Sequence, residues 1–126
     1  ARFSEMPTFG ADGLLTRPEM SVVAEYVLSL SGADHDAAAV DEGAAVYADY
    51  CAACHGETGG GDRELGAPAL NDAIWLYGSD RAAILEQIEQ PRHGVMPAWI
   101  GRLDETVIKQ LSLYVHSLGG GETATD

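Results

Sequence analysis

Two thiols and an imidazole fall within five consecutive residues, Cys51-Ala52-Ala53-Cys54-His55. This is the spacing of c-type haem attachment. Two thiols add across the two vinyl groups of haem, and a His directly after the second Cys is placed to bind the iron from one face. The chain has no other cysteine, so on this reading both become covalent tethers. Three other readings compete for the same residues. A thioredoxin-like disulfide motif wants a strand before it and a βαβ surround, whereas Val40 to Tyr50 is Ala-rich and reads as helix. A zinc site built from Cys51, Cys54, His55 and the distant His93 would be a lone knuckle without a second CxxC or HxxxH pair. Chance occurrence in an unrelated fold is the third. Haem outweighs them.

With His55 as one axial ligand, an electron-transfer iron needs a second on the opposite face. A Met thioether favours ferrous iron and raises the potential. The candidates are Met6, Met20 and Met96. Met20 falls on the apolar face of a helix and reads as packing. Met96 lies in a loop after His55 and is followed by Pro97, which fixes the backbone and ends any helix. Met96 is the first choice, and Met6 is the alternative sixth ligand if two Met loops are exchanged. The Pro68 carbonyl is a candidate acceptor for the Nδ1–H of His55, fixing its tautomer and tilt; a plain turn proline is the competing role. Trp75, Tyr77 and Trp99 are candidates to pack on haem, with ordinary core packing open for each. Arg92 and His93 are candidates to sit beside a propionate, and a surface role is equally open. His35 reads as solvated in an acidic linker, and His116 lies on the polar side of the last helix. None of these histidines looks catalytic.

The elements that position these groups are helical. Val107, Ile108, Leu111, Val115 and Leu118 form one apolar stripe, with Asp104 as N-cap and Gly119-Gly120-Gly121 as the stop. Asp41 to about Tyr50 leads straight into the thiol motif, with Gly43 marking a close helix crossing. A third helix runs from about Arg81 to Gln90, with Ile84, Leu85 and Ile88 inward, Ser79 or Asp80 as cap and Pro91 past its end. No convincing strand falls in the Gly- and Pro-containing stretches between them. The expected fold class is all-α, small and loop-rich, with haem completing the core.

An internal repeat organises the rest. Met6-Pro7-Thr8-Phe9 is echoed by Met96-Pro97-Ala98-Trp99, and 16–32 aligns without a gap to 104–120, sharing Tyr26/Tyr114, Val27/Val115, Ser29/Ser117, Leu30/Leu118 and Gly32/Gly120. Only the second copy follows a CxxCH. Residues 1–32 therefore read as the C-terminal remnant of a first domain, a Met loop and helix, 33–40 as linker, 41–121 as the haem domain and 122–126 as tail. The apolar face of Met20, Val23, Val27 and Leu30 must be covered, in cis or in a swapped dimer.

The chain has 126 residues, 46% of them hydrophobic, enough for one ordinary domain and a remainder. Its formal charge of −13 disfavours DNA and anionic membrane surfaces, which the summed field repels, and suits a basic partner. Residues 33–64 hold eight acidic and one basic group, whereas 81–118 hold four of each. That excess steers a basic donor or simply solvates the surface. No apolar run approaches the roughly 20 residues that cross a bilayer, and the opening Ala1 to Glu5 lacks the h-region of a signal peptide. The expectation is a soluble chain, mature or excised.

Tyr50-Cys51-Ala52-Ala53-Cys54-His55-Gly56, Leu65-Gly66-Ala67-Pro68-Ala69-Leu70, Ile74-Trp75-Leu76-Tyr77-Gly78 and Gly94-Val95-Met96-Pro97-Ala98-Trp99 together resemble the second haem domain of the dihaem subunit of cbb3-type cytochrome c oxidases. Met6 to Gly32 resembles the end of that subunit's first haem domain. The resemblance implies a class I cytochrome c-like domain with one covalent haem c, preceded by a helix left over from a preceding cytochrome c domain. It also implies a periplasmic location, since c-type attachment happens outside the cytoplasmic membrane, within a membrane-anchored parent. The implied partners are the other oxidase subunits and a soluble or membrane-bound cytochrome c donor, with electrons relayed toward the haem-copper subunit. The anchor and the first CxxCH of that pattern are not in this sequence. By itself the domain is expected to be no enzyme. An open-site haem enzyme or gas-binding sensor is the alternative, disfavoured by the two Met-Pro loops and the lack of a distal acid-base group; a purely structural haem domain that docks subunits is a third reading.

Overall fold

The computed structural model describes residues 5–118. The Gly119-Gly120-Gly121 stop and the 122–126 tail lie outside the described residues. Five helices follow one another: α1 (Arg17–Leu30), α2 (Val40–Tyr50), α3 (Ala52–His55), α4 (Arg81–Glu89) and α5 (Glu105–Leu118). The described residues contain no strand, only the isolated bridges Asp62 to Ala67 and Ile100 to Leu103. The all-α class matches the periodicity. The chain forms two compact units, divided after His93.

In the first unit α1 starts at a reciprocal cap. The Thr16 backbone N–H donates to Glu19 Oε2 at 2.7 Å and the Glu19 N–H donates to Thr16 Oγ1 at 3.5 Å. The helix buries Met20, Val23, Ala24, Glu25, Val27 and Leu28, the spacing of one helical face. That face is covered within the unit by α2 and α4. The crossing with α2 is close because residue 43 is Gly: a Cβ there would sit 2.1 Å from the Val22 carbonyl oxygen. Beside it the rings of Tyr26 and Tyr47 lie 5.0 Å apart between centroids. Asp80 caps α4 by accepting from the Ala83 N–H at 2.9 Å, and Ile84 and Ile88 are buried while Leu85 is half-buried. Phe9 and Leu15, from the loop before α1, complete this core. The loop is tied down by the Gly10 and Ala11 N–H groups, both donating to the Glu89 carbonyl at the end of α4.

In the second unit Asp104 accepts from the Thr106 N–H at 2.8 Å and begins α5. The helix forms where the stripe predicts it, yet none of its residues is buried. Periodicity gives a helix an apolar side without naming what covers it.

Candidate functional site

Helix α2 delivers the thiol motif. Its last turn is closed by the Cys51 N–H donating to the Tyr47 carbonyl at 2.8 Å, and the N–H groups of Cys54 and His55 then donate back to the Cys51 carbonyl at 3.1 and 2.9 Å. CxxCH is thus wound into the single turn α3, which the periodicity did not separate from α2. Residues three apart are neighbours on such a turn, so the two thiols share a side. Cys51 is half-buried and Cys54 exposed, and both are free thiols. Burial, with the neighbouring Cys54 adding to it, pushes the Cys51 thiol up to about 11.

His55 is buried, 8% exposed, and its Nδ1 lies 2.9 Å from the Pro68 carbonyl oxygen. A carbonyl only accepts, so Nδ1 carries the proton and donates it, leaving the Nε2 lone pair for a metal. A turn holds Pro68 in place. Asp62 and Ala67 exchange backbone hydrogen bonds of 3.0 and 2.9 Å, and Asp62 Oδ1 accepts from the N–H groups of Glu64 and Leu65 at 2.7 and 3.0 Å. The turn is stitched to the motif by Gly61 N–H donating to the His55 carbonyl at 2.8 Å and Leu70 N–H to the Gly59 carbonyl at 2.7 Å. Gly61 has φ +76°, and a Cβ on it would lie 2.7 Å from the Ala67 oxygen and the Ala69 nitrogen. From the other side the Tyr47 hydroxyl donates to the Gly56 carbonyl at 2.8 Å. Burial, with Cys51 and Tyr26 adding to it, pushes the Tyr47 phenol up to about 12. The end of α1 rests on the same loop, since a Cβ on Gly59 would meet Leu30 Cδ1 at 2.9 Å.

The other candidates are placed as follows. Trp75 is half-buried against the core of the first unit, and Tyr77 is exposed. The Arg92 guanidinium is paired with Glu86, which raises its pKa, and its backbone N–H donates to Gln87 Oε1 at 3.1 Å. Arg92 is therefore engaged within α4's own surroundings. His93 is exposed and borders an open cavity of about 440 Å³ with Met6, Gln90 and Pro91. Met6 is half-buried against the core, whereas Met20 is wholly within it. Met96 and Trp99 belong to the second unit, where Met96 is 81% exposed and the Arg102 guanidinium lies 5.9 Å from the Trp99 ring centre. His35, expected to be solvated, is half-buried, its Nδ1 2.8 Å from the Ala33 carbonyl oxygen; His116 is exposed on α5.

The donor set fits a covalent haem: two thiols on one side of a turn, and an imidazole whose distal nitrogen is free. Ile74 and Leu76, 77% and 80% exposed, add apolar surface of the kind a macrocycle covers. A family model described as cytochrome C oxidase, cbb3-type, subunit III matches residues 38–115. The chain belongs to that family. Among relatives of the cbb3-type subunit, it is 61% identical over 97% of its length to the cbb3-type cytochrome c oxidase subunit CcoP of Cereibacter sphaeroides, covering 42% of that protein. It is 52% identical over 96% of its length to the cbb3-type cytochrome c oxidase subunit FixP of Sinorhizobium medicae, covering 41% of it. The chain thus spans about two fifths of the length of the curated relatives it matches. Among the described residues no helix is long and apolar enough to cross a membrane.

Three groups of this cbb3-type segment escape sequence reasoning: Tyr47, Gly61 and the pair Glu25 and Arg81. The Gly59-Gly60-Gly61 run, shortly after the motif, was the available signal for Gly61. Nothing in the sequence pairs residues 25 and 81.

Proposed function

We propose that this cbb3-type segment is an electron-transfer domain carrying one covalent haem c, the second haem domain of a dihaem subunit. The observation that carries the reading is the His55 Nδ1 to Pro68 carbonyl hydrogen bond of 2.9 Å, which leaves the lone pair of the opposite ring nitrogen available to a metal, next to two thiols in sequence. Cys51 and Cys54 would hold the group through thioethers, His55 would bind the iron through Nε2, and Met96 would take the sixth position. When bound, the haem supplies a one-electron ferric/ferrous couple. The chain's own residues fix the imidazole: Pro68 sets its tautomer, Gly61 lets the Pro68 backbone pass, and Tyr47 pins the following loop through Gly56. Trp75, Tyr77 and Trp99 would pack on the macrocycle.

Residues 41–121 would form this domain, 33–40 its linker and 122–126 a tail, with 1–32 ending a preceding cytochrome c domain. The parent would face the periplasm, anchored to the inner membrane, and relay electrons from a cytochrome c donor toward the haem-copper subunit that reduces oxygen. This domain itself would bind no substrate.

For the sixth ligand, one observation keeps Met6 as the alternative: it is half-buried in the unit that holds His55. Optical spectra of the oxidised and reduced wild type, Met96→Ala and Met6→Ala separate the two. The expected result is a low-spin c-type spectrum whose Met-to-iron charge-transfer band is lost in Met96→Ala. Loss in Met6→Ala alone assigns Met6. A wild type that lacks the band and binds carbon monoxide readily overturns the electron-carrier reading in favour of an open site.

A further inference from the structure

The hydrogen bond that fixes the His55 ring depends on where residues 67–71 sit, and that segment is held unequally at its two ends. The frame it hangs on is the loop after the motif. Gly56 N–H donates to the Ala52 carbonyl at 2.8 Å, Gly59 N–H to the Gly56 carbonyl at 3.1 Å, and Gly61 N–H to the His55 carbonyl at 2.8 Å. The backbone of 56–61 is therefore tied to His55 itself. Ahead of Pro68, Asp62 and Ala67 exchange two backbone hydrogen bonds of 3.0 and 2.9 Å, which need no particular side chain. Beyond Pro68, among the described residues, the backbone contributes one bond, from Leu70 N–H to the Gly59 carbonyl at 2.7 Å. A side chain supplies the second: Asn71 Nδ2 donates to the Thr58 carbonyl at 3.0 Å. Pro68 has no N–H with which to hold its own place.

Asn71 and Thr58 are both exposed, where a hydrogen bond competes with water and adds little to the stability of the fold. Position is a different matter. The Pro68 oxygen lies 2.9 Å from His55 Nδ1, and a bond of this kind weakens once the separation passes about 3.2 Å. A shift of a few tenths of an ångström is enough, and the weaker end of the segment is three residues away.

We propose, on the reading of His55 as the axial ligand of a covalent haem, that Asn71 is a positioning residue for that ring. Its amide, anchored on the Thr58 carbonyl, keeps the Pro68 oxygen within hydrogen-bond distance of Nδ1 and thereby sets the reduction potential. An imidazole whose Nδ1–H is well bonded is the more basic ligand through Nε2, and a stronger donor favours ferric iron. Slackening the clamp raises the potential.

The test compares the wild-type haem-loaded chain with Asn71→Leu, which keeps the branched shape and the net charge but has no donor, and with Asn71→Gln, which keeps the donor. Asn71→Ala removes the same donor without adding apolar surface and carries the comparison if the Leu variant loads haem poorly. Two quantities are read: the potential, by redox titration, and the exchange with deuterium of the His55 Nδ1–H, by proton NMR of the oxidised protein. In Asn71→Leu the ferrous-to-ferric ratio at one fixed ambient potential should rise about threefold or more, and Nδ1–H exchange should quicken about tenfold or more. Asn71→Gln should return both toward the wild type. An intact haem with both quantities unchanged in Asn71→Leu overturns the proposal. So does a raised potential with unchanged Nδ1–H exchange, which places the effect outside the His55 ring, and so does a Gln variant that behaves as the Leu variant. A wild type without covalent haem overturns the axial-ligand reading itself, and the proposal with it.

Discussion

At the scale of single residues, the site is a backbone arrangement as much as a set of side chains. His55 depends on the Pro68 carbonyl, and Pro68 depends on Gly61 having no side chain. Gly61→Ala should therefore cost about 1–3 kcal/mol, because the left-handed φ and the 2.7 Å approach to Ala67 act together. Its distinguishing sign is a changed reduction potential at constant haem content, measured by titration, since the imidazole loses its acceptor. Tyr47→Phe keeps the ring against Tyr26 and removes the hydroxyl bond to Gly56, for a loss of about 0.5–1.5 kcal/mol in denaturant unfolding. The same residue sets an alkaline limb. Its folded phenol is pushed up to about 12 from an ordinary 10.0, so its contribution is complete below pH 10 and falls as pH rises from 10 toward 12. Stability measured across that range should decline in the wild type and decline less in Tyr47→Phe. The Pro68 carbonyl as partner of His55 Nδ1 was legible because the CxxCH pattern sets a His that needs a fixed tautomer. Gly61 and Tyr47 were not, because their roles exist only once two distant stretches of backbone meet.

At the scale of elements, the crossing of α1 and α2 holds the first unit together. A methyl group on Gly43 would lie 2.1 Å from the Val22 oxygen, and a backbone atom cannot step aside as a flexible side chain can. Gly43→Ala should cost about 1–3 kcal/mol net of its better helix propensity, seen as a lower melting temperature with unchanged helical content. Glu25 supplies an acid limb. Arg81, opposed by burial and helped by the Asp36 N–H, holds its carboxyl below the ordinary 4.5. A lowered folded pKa means the contribution is present above the ordinary carboxylate range and is lost as pH falls below it. Glu25→Gln should flatten the decline in stability below about pH 4.5 seen by calorimetry in the wild type. Periodicity and caps located α4 and α5 closely, since Asp80 and Asp104 are start signals with a mechanism, while Ala-rich composition placed α2 and the internal repeat placed α1. The partner of each helix was not legible. The Met20 face is covered in cis by α2 and α4, while α5's equivalent stripe has no buried residue.

At the scale of the whole molecule, charge speaks to partners rather than to fold. A net −13 sets up a field that attracts a basic cytochrome c and repels an acidic one. The rate of electron exchange with a basic cytochrome c should fall steeply as ionic strength rises and the Debye length shrinks to about 8 Å at physiological salt. With an acidic cytochrome it should rise, and a flat response to both would place the contact away from the acidic surface. Membership of the cbb3-type family was readable from four short blocks because three of them carry Cys, Trp or Met at fixed spacing. The division after His93 was not, because no composition shift marks it. Cys54 is open to solvent while Cys51, one turn earlier, is half-buried against the core. That asymmetry bears on biogenesis. On the proposed haem reading, a maturation enzyme approaching the finished fold would meet one thiol more readily than the other, and the timetable of folding would become part of how the pigment is acquired.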